Sequence, residues 1–442
     1  VRRPQRFCLG PMVSRRALGV LIVYRPHRQV RLFPQTRLIM AKVVLVWEMG
    51  ADLGHVTRLD TLARHLVLRG HTVTAIFSDT TEIPRIYPPP SRPPYQILQG
   101  PSWPTRRQKL SRPPASLAEV LLSVGFYRPE VLIEKLTHWQ TLFANLQVDI
   151  IFFDYAPTAL LATRQFSGKR VNLCDPFSKP PECFPLPCFD RNTKVSEQNL
   201  AISEQRLITA TNQALREVGL NGITYAYELF SADKTFLLSI PDLDPFANLR
   251  KADENYLGEF EISNSAKQPI TWNNAHSAKK VFGYLKTSYP NLKSLLAALI
   301  RTDIQGRFFI PNAQMDIIGI CRGTNIEITT TPYDLANLEE CDLTICHGGH
   351  STLLRSILSG VPTLLIPLQQ EQLSVTQKAV TSGVALMLGH GISAEQGILS
   401  PLSQLLYEDS FRRAARECAT RHQNQPAKSA LNNVAEYVES FS

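Results

Sequence analysis

The segment Cys341-Asp342-Leu343-Thr344-Ile345-Cys346-His347-Gly348-Gly349-His350-Ser351-Thr352 has the residue types and order of an anion site. Leu343 to Cys346 reads as a buried strand that passes directly into His-Gly-Gly and a helix start. Glycines at such a junction let a phosphate approach the main chain, and the unpaired N–H groups of the next helix attract it. Ser351 and Thr352 can cap that helix or donate to phosphate oxygens, and His347 is placed to hydrogen-bond a diphosphate. A plain strand-to-helix turn with a capping serine has the same composition. A second strand, Thr363 to Ile366, ends in Pro367-Leu368-Gln369-Gln370-Glu371-Gln372. A carboxylate beside a carboxamide offers the acceptors and donors that sugar hydroxyls need, although an ordinary polar loop offers them too.

These residues need strands to hold them, and the chain alternates accordingly. After Met40, Lys42 to Trp47 reads as a buried strand, and Leu59, Leu62, Ala63, Leu66 and Val67 mark one face of a helix closed by Gly70. His71 to Phe77 is the next strand. Residues 84–114 hold ten prolines and are expected to lack regular structure. Helical patterns resume over 115–145, and Ile150 to Phe153 is a strand ending in Asp154. From 240 to 280 the sequence turns polar, as an interdomain connection does. The alternation then restarts with strands at Val281 to Leu285, Arg307 to Ile310, Ile326 to Thr330 and Leu343 to Cys346, and a helix at Asn291 to Ile300. The pattern predicts an α/β chain with two parallel sheets facing across a cleft. Its expected divisions are a leader at 1–39, an amino-terminal domain at 40–245, a linker at 246–280, a carboxyl-terminal domain at 281–410 and closing helices at 411–442.

Composition narrows the function. The chain has 442 residues, 44% hydrophobic and 19% charged, which is globular and large enough to bury substantial cores. Residues 1–40 carry nine arginines, no lysine and no acid, so the other residues hold 47 − 9 = 38 basic groups against 38 acidic ones. The net charge of +9 therefore belongs to the leader, which argues against nucleic-acid binding by the folded body. The leader's longest apolar run, Ala17 to Tyr24, is too short to span a bilayer. It reads as a transit or secretion signal, or as read-through ahead of a natural start at Met40 with no stable fold of its own. The eight cysteines include no C-x-x-C pair and no zinc spacing, so reduced thiols in a cytoplasm are expected. No apolar stretch reaches transmembrane length, while a peripheral membrane contact stays open.

The run HGGHSTLLRSILSGVPTLLIPLQQEQLSVTQKAVTSGVALML resembles the nucleotide-sugar signature of the GT-B glycosyltransferases of the UDP-glycosyltransferase superfamily. GHVTRLDTLARHLVLRGHTVT is similar to that family's first β-α-β unit, and VDIIFFDYAPTALLA to the strand before its acceptor site. The resemblance implies two Rossmann-like doubly wound domains and an inverting, metal-independent transfer of a hexose from a UDP- or dTDP-sugar to a hydroxyl of a small acceptor, with no cofactor. It implies that His347, Gly348, Gly349, His350, Ser351 and Thr352 hold the donor diphosphate, and that Glu371 and Gln372 hold the sugar. His55 would be the catalytic base with Asp154 beside it, an assignment that a near-neutral histidine pKa supports. Either residue can alternatively cap a helix.

Arg355 departs from the family's usual glutamate, the ribose-binding position. It is expected to project toward the ribose and to pair with the α-phosphate or with an acid such as Glu371 across the cleft. Lys286 or Thr287 is a further candidate for phosphate contact. Asp242-Leu243-Asp244 forms a D-x-D pair, but it precedes Pro245 in the linker and follows no suitable strand, so no metal is assigned to it. Arg106, Arg107 and Lys109 read as solvated charges in a proline-rich loop. Trp103, Tyr95, Phe177, Phe184 and Phe189 suggest an apolar or aromatic acceptor, small molecule or lipid. A nucleotide-sugar 2-epimerase of the same fold and a non-catalytic sugar-nucleotide binding protein remain as alternatives. The sequence does not specify the oligomeric state.

Overall fold

The structure, a computed structural model, describes residues 40–50, 53–81, 83–103, 112–190, 195–252, 254–260, 267–273, 278–389, 395–422 and 427–441. The leader at 1–39 and Arg106, Arg107 and Lys109 lie outside the described residues.

Seven parallel strands form the first sheet: β1 (Lys42–Trp47), β2 (Thr72–Phe77), β3 (Gln96–Gln99), β4 (Ile150–Asp154), β5 (Lys169–Cys174), β6 (Lys234–Leu237) and β7 (Asn255–Tyr256). Their spatial order is β3-β2-β1-β4-β5-β6-β7. β1 and β4 are buried on both faces except at Lys42, which is why they read as continuous apolar runs. The order reverses between β1 and β4, where connections leave to opposite faces and open a crevice beyond the strands' carboxyl ends. Trp47 is in register with Asp154, so the two strands end together at that crevice.

β8 (Gln268–Pro269) pairs with β12 (Tyr333–Asp334), and the second large sheet is built from β9 (Lys279–Tyr284), β10 (Ile304–Phe309), β11 (Ile326–Thr329), β13 (Leu343–Cys346), β14 (Thr363–Leu365) and β15 (Ala385–Met387). Its order, β11-β10-β9-β13-β14-β15, puts its own reversal between β9 and β13. Each sheet therefore presents one switch point. The chain's four most informative junctions, after β1, β4, β9 and β13, all emerge at the two of them.

Two features differ from the sequence reading. The proline-rich 84–114 window contains a strand after all, β3, which pairs with β2 in register from Gln96 opposite Thr74. Its four residues lie between the prolines and form the sheet edge, where a short strand is tolerated. The first sheet also extends past residue 245, since β7 lies in the segment read as linker. At the far end of the chain, the helix Ala427–Glu439 packs Ala430, Leu431, Val434, Ala435 and Val438 into the core of the first sheet. The described cysteines are free thiols.

Candidate active site

A cleft of about 1220 Å³ runs between the two sheets and draws its walls from both. On the amino-terminal side, β1 gives way to a turn at Gly50 and then to the helix Leu53–Leu68. Gly50 has φ +101°, and a Cβ there would lie 2.5 Å from His55 Nε2, so only glycine lets the turn pass the ring. His55, in the first turn of that helix, stacks on Trp47 with ring centroids 5.7 Å apart. Its Nδ1 lies 3.0 Å from Asp154 Oδ2, and Asp154 is completely buried. The contact departs from the ring's N–H direction, so it acts through charge more than through an aligned hydrogen bond.

Sequence reasoning missed two partners of this pair. Arg58, three residues along the same helix face, donates to both Asp154 oxygens at 3.2 and 3.3 Å and reaches Asp175, just past β5, at 3.8 Å. The i, i+3 spacing from His55 was the available signal for Arg58. Nothing local marked Asp175. Burial works against a charged His55, but the Asp154 carboxylate outweighs it, helped by Asp175 and opposed by Arg58, so the His55 pKa lies above the usual histidine value. Burial also works against the Asp175 carboxylate, yet Arg58, His350 and His55 hold its pKa below the usual aspartate value. The Arg58 guanidinium is further stabilised by Glu371, which brings the proposed sugar-binding acid to the neighbourhood of the base.

On the carboxyl-terminal side, β13 delivers His347 and the helix His350–Leu358. His347 accepts the Lys286 N–H on Nε2 at 2.8 Å and donates from Nδ1 to the Ile366 carbonyl at 2.8 Å. These contacts spend both ring nitrogens on the backbone that follows β9 and β14, so the ring ties three strand ends together. Gly348 adopts φ +77°, and a Cβ there would meet Thr376 Oγ1 at 2.7 Å. Gly349 is the N-cap and supplies no side chain, so Ser351 and Thr352 are not caps; they line the cleft in the helix's first turn. His350 crosses to the other domain, with Nε2 3.0 Å from the Leu238 carbonyl, and burial holds its pKa below the usual histidine value. Glu371 and Gln372 lie in the first turn of the helix Gln370–Thr381 and line the cleft, and Gln372 Oε1 accepts the Leu368 N–H at 2.7 Å.

Arg355 corrects its expected partner. Its Nε lies 2.9 Å from Glu259 Oε2, not against Glu371, and Glu259 enters the cleft just after β7. Burial pushes the Glu259 carboxyl up to about 7 despite Arg355, Lys267 and Arg58. Lys286 lines the cleft, whereas Thr287 does not. Of the five aromatic residues expected around an acceptor, only Phe177 is part of the lining. Trp103 stacks on Phe126 and donates to Glu48, Tyr95 donates to Asp60, Phe184 lies against Tyr225, and Phe189 stacks behind Phe177. The apolar lining that the amino-terminal domain contributes is instead Met49, Val120, Val124, Tyr155 and Phe177, with Pro113 and Pro114. Asp244 of the D-x-D pair is buried against Arg250 and accepts from Tyr256 at 2.6 Å, which uses its oxygens internally.

The architecture is the GT-B fold. The protein resembles in structure the glycotransferase of kitacinnamycin (TM-score 0.65, 15% identity, 90% of this chain and 98% of that one) and the calicheamicin glycosyltransferase (0.65, 14%, 91% and 98%). A spinosyn rhamnosyltransferase complexed with spinosyn aglycone follows at TM-score 0.61 and 14% identity, over 90% of this chain and 100% of that one. Within that class, residues 340–439 match the family described as UDP-glucoronosyl and UDP-glucosyl transferase. A PGL/p-HBAD biosynthesis glycosyltransferase of Mycobacterium tuberculosis is 22% identical over 196 residues, 42% of this chain and 44% of that protein. The match thus spans less than half the length of these curated relatives.

Proposed function

We propose that this chain transfers a hexose from a UDP- or dTDP-sugar to a hydroxyl of a small, apolar acceptor, with inversion and without a metal ion in the chemistry. The observation that carries the reading is the charge-backed His55–Asp154 pair set in one cleft with the amino-terminal end of the His350–Leu358 helix. Asp154 favours the proton on Nδ1, which leaves Nε2 as the basic nitrogen. Nε2 takes the acceptor's hydroxyl proton while the oxygen attacks the anomeric carbon, and the bond from that carbon to the diphosphate breaks on the opposite face. A single displacement of this kind inverts the anomeric centre. The departing diphosphate carries charge that the helix N-terminus and Lys286 are positioned to stabilise. Glu371 and Gln372 offer the acceptors and donors that the sugar requires. The apolar wall of Met49, Val120, Val124 and Phe177 suits a hydrophobic aglycone, in keeping with relatives named for calicheamicin and spinosyn. Among the described residues no helix is long and apolar enough to cross a membrane, and a cytoplasmic setting with freely diffusing donor is part of the proposal.

The test is a mass-spectrometric screen of a nucleotide-sugar panel against hydrophobic hydroxylated acceptors, with each donor also incubated alone. A glycosylated product that requires His55 supports the reading. Donor isomerised in the absence of any acceptor, with no transfer product, would replace it with a nucleotide-sugar epimerase.

A further inference from the structure

We infer that Asp242, Cys418 and His422 form a zinc site outside the cleft, clamping the connection between β6 and β7 to the helix that backs the donor side. Cys418 and His422 stand four residues apart at the end of the helix Asp409–Arg421, so their side chains share a face. Asp242 comes from the short turn Pro241–Leu243, which follows β6. One ligand atom from each of the three lies within 4.8 Å of the others, and His422 Nε2 is 2.8 Å from Asp242 Oδ2. In a tetrahedral zinc site, bond lengths of about 2.0–2.3 Å put neighbouring ligand atoms roughly 3.3–3.8 Å apart. The Asp242–His422 pair must open by about 0.5 Å and the widest contacts close by up to about 1 Å to reach that spacing, which rotation of the half-buried Asp242 and His422 side chains supplies. A thiolate, an imidazole and a carboxylate make a donor set that zinc takes in preference to magnesium or calcium.

The surroundings set the three ligands apart from the reaction. Cys418 is fully buried, and it packs with Ile240 and Leu243 of the β6–β7 connection and with Leu353, Leu354 and Ile357 of the His350–Leu358 helix. None of the three ligands lines the cleft. Arg421 holds the other carboxylate oxygen, Oδ1, at 2.6 Å and is half exposed. It can stay on Oδ1 as an outer partner while Oδ2 turns to the metal, the arrangement in which ligating carboxylates are usually found. On binding, the Cys418 thiol gives its proton to solvent, and the imidazole carries its remaining proton on Nδ1. Three protein ligands leave the fourth tetrahedral position to water.

The experiment uses the full chain, stripped with chelator and titrated with Co²⁺ as a spectroscopic stand-in, then with Zn²⁺ as competitor. The expected result is one Co²⁺ per chain, a thiolate-to-cobalt absorption displaced by Zn²⁺, and a melting temperature raised by Zn²⁺. Cys418→Ser removes the thiolate absorption, and His422→Ala weakens Zn²⁺ binding by more than about tenfold, at least as much as an outer-partner loss costs. His422 is a partly exposed residue at the helix end, so its variant keeps the test open if Cys418→Ser fails to fold. Absence of stoichiometric binding, an absorption that persists in Cys418→Ser, or unchanged affinity in His422→Ala would overturn the site.

Discussion

At the scale of single residues, the proposed chemistry rests on one nitrogen. His55→Ala removes the base and should lower kcat by about 10²–10⁴-fold while calorimetric donor binding persists. A near wild-type rate in this variant would refute the assignment. The direction of the pKa shift sets a pH signature. A base must be unprotonated, so transfer should rise with pH through a value above the usual histidine pKa of 6.5. Asp154→Asn removes the main charge that raises it, so the acidic limb of kcat/KM should move to lower pH while the maximal rate falls. Glu259 gives an opposite and separable effect. Its folded pKa of about 7 lies above the ordinary 4.5, so the folded state holds its proton more tightly than the unfolded chain does. Stability attributable to this group is therefore full below pH 4.5 and declines as pH rises toward 7. Stability read from thermal unfolding across that range should decline more steeply with pH in wild type than in Glu259→Gln; parallel curves would mean that Glu259 is not held proton-rich.

The elements that carry these side chains depend on close approaches. Gly348→Ala places a Cβ 2.7 Å from Thr376 Oγ1 and 3.2 Å from the Gln372 carbonyl, on a backbone at φ +77°. The strain should cost about 1–3 kcal/mol and push the Gln370–Thr381 helix away from the strand end. Thr376→Ala in the same chain removes the nearest atom and should recover part of the loss, read as melting temperature. Full additivity of the two changes would show that the clash is not the cause. Gly348, with the apolar strand before it, was legible because a strand running into His-Gly-Gly and a helix start marks a tight junction. The short edge strand β3 was not legible, because its pairing with β2 overrides a proline-dominated window.

For the whole molecule, the closing helix is the telling element. Val434 is completely buried in the first sheet's core, although it belongs to a segment that follows the second domain, and Glu439 pairs with Arg69 at 2.7 Å. Val434→Asp puts a charge into that core and should destabilise the amino-terminal domain by about 3 kcal/mol or more. Proteolysis should then begin in residues 40–240. Cleavage confined to the carboxyl-terminal helices, with the first domain intact, would show that the helix contributes little.

Sequence alone determined the alternation of strands and helices, the glycine turns and the likeness to the GT-B glycosyltransferases, because periodicity, turn chemistry and short motifs are local properties. It pointed to His55, Asp154, His347 and the Glu371-Gln372 pair one segment at a time. Only the tertiary structure decided what faces what. Asp175 and Glu259 follow strands with no motif of their own, and they matter because Arg58 reaches Asp175 beside the first sheet's switch point and Arg355 reaches Glu259 across the cleft. Asp242, Cys418 and His422 meet across about 180 residues of chain for the same reason. Charge pairs between distant segments are fixed by sheet order and helix packing, and those follow from burying apolar faces against one another, which no single window of sequence records.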